Sequence, residues 1–204
     1  DLHSFPTRRS SDLQLAAELV ELAASRFRTE AALSSGIVGA AAALPAIGTG
    51  TAVALTAGQA AVFITSAVTY VLTVAELHGL RVVDAERRRA LVLSALLGRE
   101  GSEVVQGQLG LSTLFWAAQV LTQMPTPTVR SVNAQLAKRA AKRTAAKSGA
   151  LALGRLVPFG IGAAIGWTGG RALAGQVIEG AKAALEPADR KSTRLNSSHP
   201  AESR

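Results

Sequence analysis

From residue 31 to residue 75 the chain runs for 45 positions without a single Asp, Glu, Lys or Arg. A stretch of that kind has no side chains to hold it in water, so something must cover it. Pro45, Gly48 and Gly50 interrupt it, leaving a short apolar segment over residues 37–44 and a longer one over residues 51–75. That layout is a helical hairpin. The longer arm is apolar nearly all round, and such a helix lies either inside a large core or in a membrane. Residues 14–188 form one domain-sized unit with little room to surround a 25-residue helix, whereas about 20 apolar residues match the hydrocarbon layer. The membrane reading is favoured, with a soluble bundle built on an Ala-rich central helix as the alternative. Gln59 and the row Thr65, Thr69 and Thr73 are expected to mark the side of this helix that faces protein.

The flanking sequence is helical as well. Residues 15–33 place Leu15, Leu19, Leu22, Ala23 and Phe27 at helical spacing, with Glu18, Glu21, Ser25 and Arg28 elsewhere on the wheel. After His78 and Gly79 the chain turns, and Asp84 is placed to cap a helix that runs through Glu86 and Arg87 to Leu97 and stops at Gly98. Residues 104–129 again lack charge, but Gln106, Gln108, Gln119 and Gln123 with Gly107 and Gly110 make a poor membrane span. Residues 111–123 are expected to form a core helix packed through Phe115 and Trp116, followed by a loop at Pro125 and Pro127. A basic helix over residues 130–147 comes next, and residues 148–156 continue it or form a short neighbour. Pro158 interrupts, and residues 160–185 make the last helix, with Gly162, Gly166 and Gly170 at four-residue spacing. Glycines on one stripe let another helix approach closely, in membranes and in tight soluble pairs alike. No segment alternates as a strand does. The expected fold is all-α: a helical bundle with an apolar helical hairpin and a glycine-striped C-terminal helix.

The two ends stand apart from this pattern. The opening DLHSFPTRRSSDL, residues 1–13, and DRKSTRLNSSH within residues 189–204 resemble translated sequencing-adapter DNA. Both are mixtures of Ser, Arg and Pro without helical or strand period, so they are expected to be disordered, leaving residues 14–188 as a single helical domain. They carry six basic and four acidic residues, so the net charge falls from +8 to +6 without them. Of the three histidines, only His78 remains inside the domain.

Motifs that would carry chemistry are weak. Cysteine is absent, which excludes a disulfide framework, a thiolate metal site and a cysteine nucleophile. Gly160, Gly162 and Gly166 approximate a dinucleotide fingerprint, but the physics of that motif needs a preceding strand to aim the helix at the pyrophosphate, and residues 151–158 do not supply one. Lys147-Ser148 lacks the glycines of a phosphate loop. His78 stands alone near Glu76, and one histidine assembles neither a metal site nor a triad. We therefore expect no enzyme, no metal and no cofactor, although Glu76, His78 and Asp84 have the chemistry of a site if the fold brings them together.

The basic segment carries more. Arg130, Lys138, Arg139, Lys142, Arg143, Lys147, Arg155 and Arg171 occur with no acid between Glu103 and Glu179. Lys138 with Lys142, and Arg139 with Arg143 and Lys147, form adjoining rows at i, i+4. Three readings stand: a solvated face, a juxtamembrane surface against anionic lipid or a membrane protein partner, and a nucleic-acid surface. No stacking aromatics are interleaved, which weighs against nucleic acid. If residues 104–129 spanned a bilayer, the basic helix would lie opposite the arginines of residues 76–99, against the positive-inside preference. The simpler topology inserts an apolar hairpin, residues 36–75, from the cytoplasmic side of a cell membrane, keeps the basic helix cytoplasmic, and packs residues 160–175 beside the hairpin.

Two regions together resemble the EcsC family of bacterial proteins. The first is ALSSGIVGAAAALPAIGTGTAVAL with VAELHGL, within residues 32–80; the second is LGRLVPFGIGAAIGWTGGRALAGQVIEGA, residues 153–181. The resemblance implies membrane association and no mechanism, and it offers no catalytic residues to carry over.

Overall fold

The first helix, α1 (Phe5–Ala42), joins into one rod what the sequence divides into an amphipathic segment and a short apolar one. We describe a computed structural model, covering residues 5–42, 49–109, 116–154 and 161–185. The buried side of α1 is Val20, Ala24, Phe27, Ala31 and Ser35, spaced by three or four residues as one helix face requires. This corrects the expected stripe. Phe27 is buried and Ala23 partly so, but Leu15, Leu19 and Leu22 are 56, 40 and 56% exposed. The reason is the neighbour: a helix packed backbone to backbone needs Ala and Ser at the contact, and leucines there would hold the axes apart.

Residues 5–13, expected to lack regular structure, form the first turns of α1, with Ser11, Asp12 and Leu13 exposed. Extending a helix already nucleated by tertiary packing needs only propagation, which does not demand a buried face. Residues 189–204 lie outside the described residues.

The second arm of the hairpin, α2 (Thr49–Leu77), packs antiparallel to α1. The direction follows from the contacts: Ser35 meets Gln59, while Phe27, two turns earlier, meets Phe63 and Tyr70. Phe27 stacks on Tyr70 with centroids 5.2 Å apart and planes within 9°, and lies 5.7 Å from Phe63. Offset aromatic pairs of this kind add roughly 0.5–1.5 kcal/mol beyond the area they bury.

Helix α3 (Ala85–Leu97) has the expected ends. Asp84 is extended and its Oδ1 accepts from the Arg87 N–H at 2.9 Å, and Gly98 at φ 67° returns its N–H to the Ala95 carbonyl. Helix α4 (Arg99–Leu109) follows at once, a helix the glycines and glutamines conceal in the sequence. Gly101 is needed there, because a Cβ would run into the Ser94 backbone of α3. Of the core helix expected over residues 111–123, α5 (Trp116–Gln123) is present and Trp116 is fully buried. Phe115 lies outside the described residues.

The basic helix is longer than expected: α6 (Thr126–Gly154) includes Pro127 in its first turn, where the missing proline N–H would have had no helical partner in any case. Residues 148–154 continue it. It runs parallel to α3, since Asn133 meets Glu86 near the start of both and Arg143 meets Leu97 near the end of α3. The last helix, α7 (Ile161–Leu185), is central and touches α1, α2, α3, α4 and α5. The shared core joins Val71 and Val74 of α2, Leu91 of α3, Val105 of α4, Trp116 of α5, Leu136 of α6 and Ile178 of α7. Among the described residues there is no strand, and the architecture is the all-α bundle with an apolar hairpin and a glycine-striped last helix.

Candidate functional site

Three helices converge on Ser35. Its hydroxyl accepts from Gln59 Nε2 at 2.7 Å, and α7 lies against its backbone. A Cβ on Gly166 would meet the Ser35 carbonyl, and one on Gly170 would meet the Ala31 carbonyl and lie 2.7 Å from Ser35 Oγ. Two of the three striped glycines therefore do what their spacing suggests, letting α7 rest directly on α1. Gly162 is in the first turn of α7, and its surroundings lie outside the described residues. The two helices run antiparallel, with Lys182 Nζ 3.1 Å from Glu21 Oε1 farther along.

At and beyond this crossing α1, α2 and α7 form a tip, and α1 and α2 turn apolar side chains outward there. Leu33 and Ile37 of α1, and Val62 and Ile64 of α2, are about half exposed or more. Between α1 and α2 runs an apolar groove of about 470 Å³, bordered by Ile37, Val38, Leu55, Gln59 and Val62. Within Ala54–Leu77 an 18-residue window has a mean hydropathy of 1.7, and 28% of that window is buried. The segment is, among the described residues, the one helix long and apolar enough to cross a membrane.

The burial within α2 is lopsided along its length. Ala67, Tyr70, Val71, Val74 and Ala75 are buried in the bundle, whereas most of residues 54–66 is open. Thr65, Thr69 and Thr73 are exposed, so the threonine row does not face protein. The protein-facing side is the Ala, Tyr and Val face opposite, which offers more apolar area to the core. Thr69 instead satisfies its hydroxyl locally, donating to the Thr65 carbonyl at 3.0 Å, the device that lets Thr sit on an apolar surface.

The basic rows of α6 part company. Arg139 Nη1 lies 3.2 Å from Glu100 Oε1, and Arg143 Nη1 donates to the Leu97 carbonyl at 3.2 Å. Arg130 is exposed, with Nε 4.0 Å from Glu86. Lys138 and Lys142 are exposed and have no partner among the described residues. The side chain of Lys147 lies outside them. The pairing acids were missed because Glu86 and Glu100 are some forty residues away in sequence. The signal that would have found them is a short α3–α4 unit folding back on α6.

The three residues with catalytic chemistry are not joined. His78 Nδ1 is 2.8 Å from the Val74 carbonyl of its own helix end, Asp84 is occupied as a helix cap, and Glu76 is exposed. Among the described residues no group of His, Asp and Glu is placed to hold a metal ion. A second, polar cavity of about 270 Å³ is bordered by Arg81, Asp84, Arg87 and Thr126, where Arg87 is tied to the Met124 carbonyl at 3.0 Å.

Fold and surface thus define a class: an all-α bundle that carries an apolar three-helix tip and one free basic row. No protein-family model matches the chain, and neither a curated protein nor a solved structure matches it.

Proposed function

We propose that this chain is a non-enzymatic, membrane-associated helical protein that seats its apolar tip in a bilayer and presents Lys138 and Lys142 of α6 to anionic lipid or a membrane protein partner. The observation that carries this reading is the mismatch along α2, a window of mean hydropathy 1.7 of which 28% is buried. A core helix of a soluble protein passes the same hydropathy criterion but is mostly buried. The resemblance to the EcsC family points the same way, and with it a bacterial cell membrane whose cytoplasmic side carries the basic helix.

Fractionation tests it. The full chain is expected to float with vesicles and to stay with them through high salt and alkaline carbonate. Release under those conditions, followed by DNA binding with a steep salt dependence, would establish instead the nucleic-acid reading of the basic helix.

A further inference from the structure

The register of the three tip helices distinguishes two depths of insertion. We infer that the tip enters a single leaflet, stopping at a plane marked by Arg28, Arg171 and Trp167, and that α2 does not cross the bilayer. This rests on the membrane reading above and adds depth and orientation to it.

The midpoint of the segment Ala54–Leu77 falls near Thr65 and Ser66. On α1 the residues level with it are those around Phe27, which touches Phe63 on one side of that midpoint and Tyr70 on the other. On α7 they are the residues following Gly170, since Gly170 lies on Ala31 and Lys182 pairs with Glu21. A bilayer centred on α2 would therefore carry Arg26, Arg28, Glu30 and Arg171 to its middle. Arg26, Glu30 and Arg171 are exposed. Charged side chains at that depth are rare and face a protein interior or water, which these do not. The same placement would require lipid around Val71, Val74 and Ala75, which the bundle already buries.

Moved toward the tip, the membrane meets no such obstacle. From Ala31 to the end of α1 there are twelve residues, a rise of about 18 Å, and from Gly170 back to Ile161 ten, about 15 Å. The hydrocarbon core is about 30 Å thick, so the charge-free tip is one leaflet deep. Its base has the composition of an interface. Trp167, 38% exposed, stands one turn on the tip side of Arg171, the order in which aromatic and basic residues meet a membrane surface. Arg26, Arg28 and Arg171 stand there against Glu30, a net positive collar complementary to anionic headgroups. In this seating the groove beside Ile37 and Val62 takes an acyl chain of the same leaflet.

Because the chain has no cysteine, single probes are unique. Ile37→Cys, Ala54→Cys, Leu173→Cys and Glu76→Cys, each labelled with an environment-sensitive fluorophore, are added to preformed vesicles of phosphatidylcholine and phosphatidylglycerol. Dithionite is supplied outside, and bromines are placed shallow or deep in the acyl chains. Probes at 37 and 54 are expected to lose dithionite reactivity and to be quenched best by deep bromines. Those at 173 and 76 are expected to keep full reactivity, and the emission of Trp167, taken as the difference from W167F because Trp116 also fluoresces, to be quenched more by shallow bromines than by deep ones. Deep quenching at 173, or protection at 76, with vesicle binding intact, overturns the single-leaflet depth and leaves membrane association standing. Full reactivity at all four positions, without flotation of the unlabelled chain, overturns both.

Discussion

Gln59 of α2 donates through Nε2 to Ser35 Oγ of α1 at 2.7 Å, and Gly170 of α7 faces the same hydroxyl. One polar contact thus registers three helices at the base of a tip that carries no charge, and apolar surfaces slide on one another. Removing one partner leaves a half-buried amide without its acceptor. S35A is expected to lower unfolding stability by about 1 kcal/mol, and a double-mutant cycle with Q59L to return a coupling energy of similar size. Denaturant titration of the four proteins measures both, and additive effects would show the contact to be idle.

Neighbouring glycines on α7 make opposite predictions. Gly170 lies against the Ala31 carbonyl, whereas a Cβ at Gly169 would have nothing within 4 Å. G169A is expected to stabilise the protein by roughly 0.5–1 kcal/mol through helix propensity alone. G170A gains the same propensity but must push α1 away, for a net loss of about 1–3 kcal/mol. Thermal melts of the two variants, compared with the parent, should move in opposite directions.

The start of α3 rests on one side chain. Asp84 Oδ1 is the acceptor for the Arg87 N–H, and its loss by D84A is expected to cost about 1 kcal/mol, with D84N retaining most of the effect. Circular dichroism during urea unfolding reads the difference, and equal midpoints for D84A and the parent would refute it.

The two basic rows of α6 should separate by assay. K138Q/K142Q removes two free charges and is expected to weaken partition onto anionic vesicles by about 2 kcal/mol, roughly thirty-fold, with little change in melting temperature. R143Q deprives the Leu97 carbonyl of a donor, so it is expected to lower the melting temperature. Arg139 and Glu100 are both about half exposed, and R139Q should change stability by less than about 1 kcal/mol. Flotation and melting of the same three variants decide all three expectations.

Local signals were legible in the sequence where local chemistry decides the structure. Asp84 and Gly98 bound α3 because capping depends on a few adjacent residues, and Gly166 and Gly170 revealed a close helix contact because only glycine permits one. What depends on a partner distant in sequence was not legible. Leu15, Leu19 and Leu22 have the periodicity of a buried face, yet the central position of α7 selects the smaller residues of α1 instead. Thr65, Thr69 and Thr73 look like an inward polar row because the hydroxyl is polar, but a helix carbonyl four residues back satisfies it. Glu86 and Glu100 become visible as partners of α6 only when α3 and α4 fold onto it.

The pairing of α1 with α7 also has a consequence in time. The helix that completes the tip is made last, more than eighty residues after the end of α2. At a synthesis rate of about 5–20 residues per second, the apolar arm of the hairpin waits for several seconds before its glycine-striped neighbour exists. During that interval the surface later covered by α7 is open to whatever the cell offers. A chaperone or a targeting factor therefore meets a different molecule from the finished one, and any such encounter must be over by the time α7 closes onto Ser35.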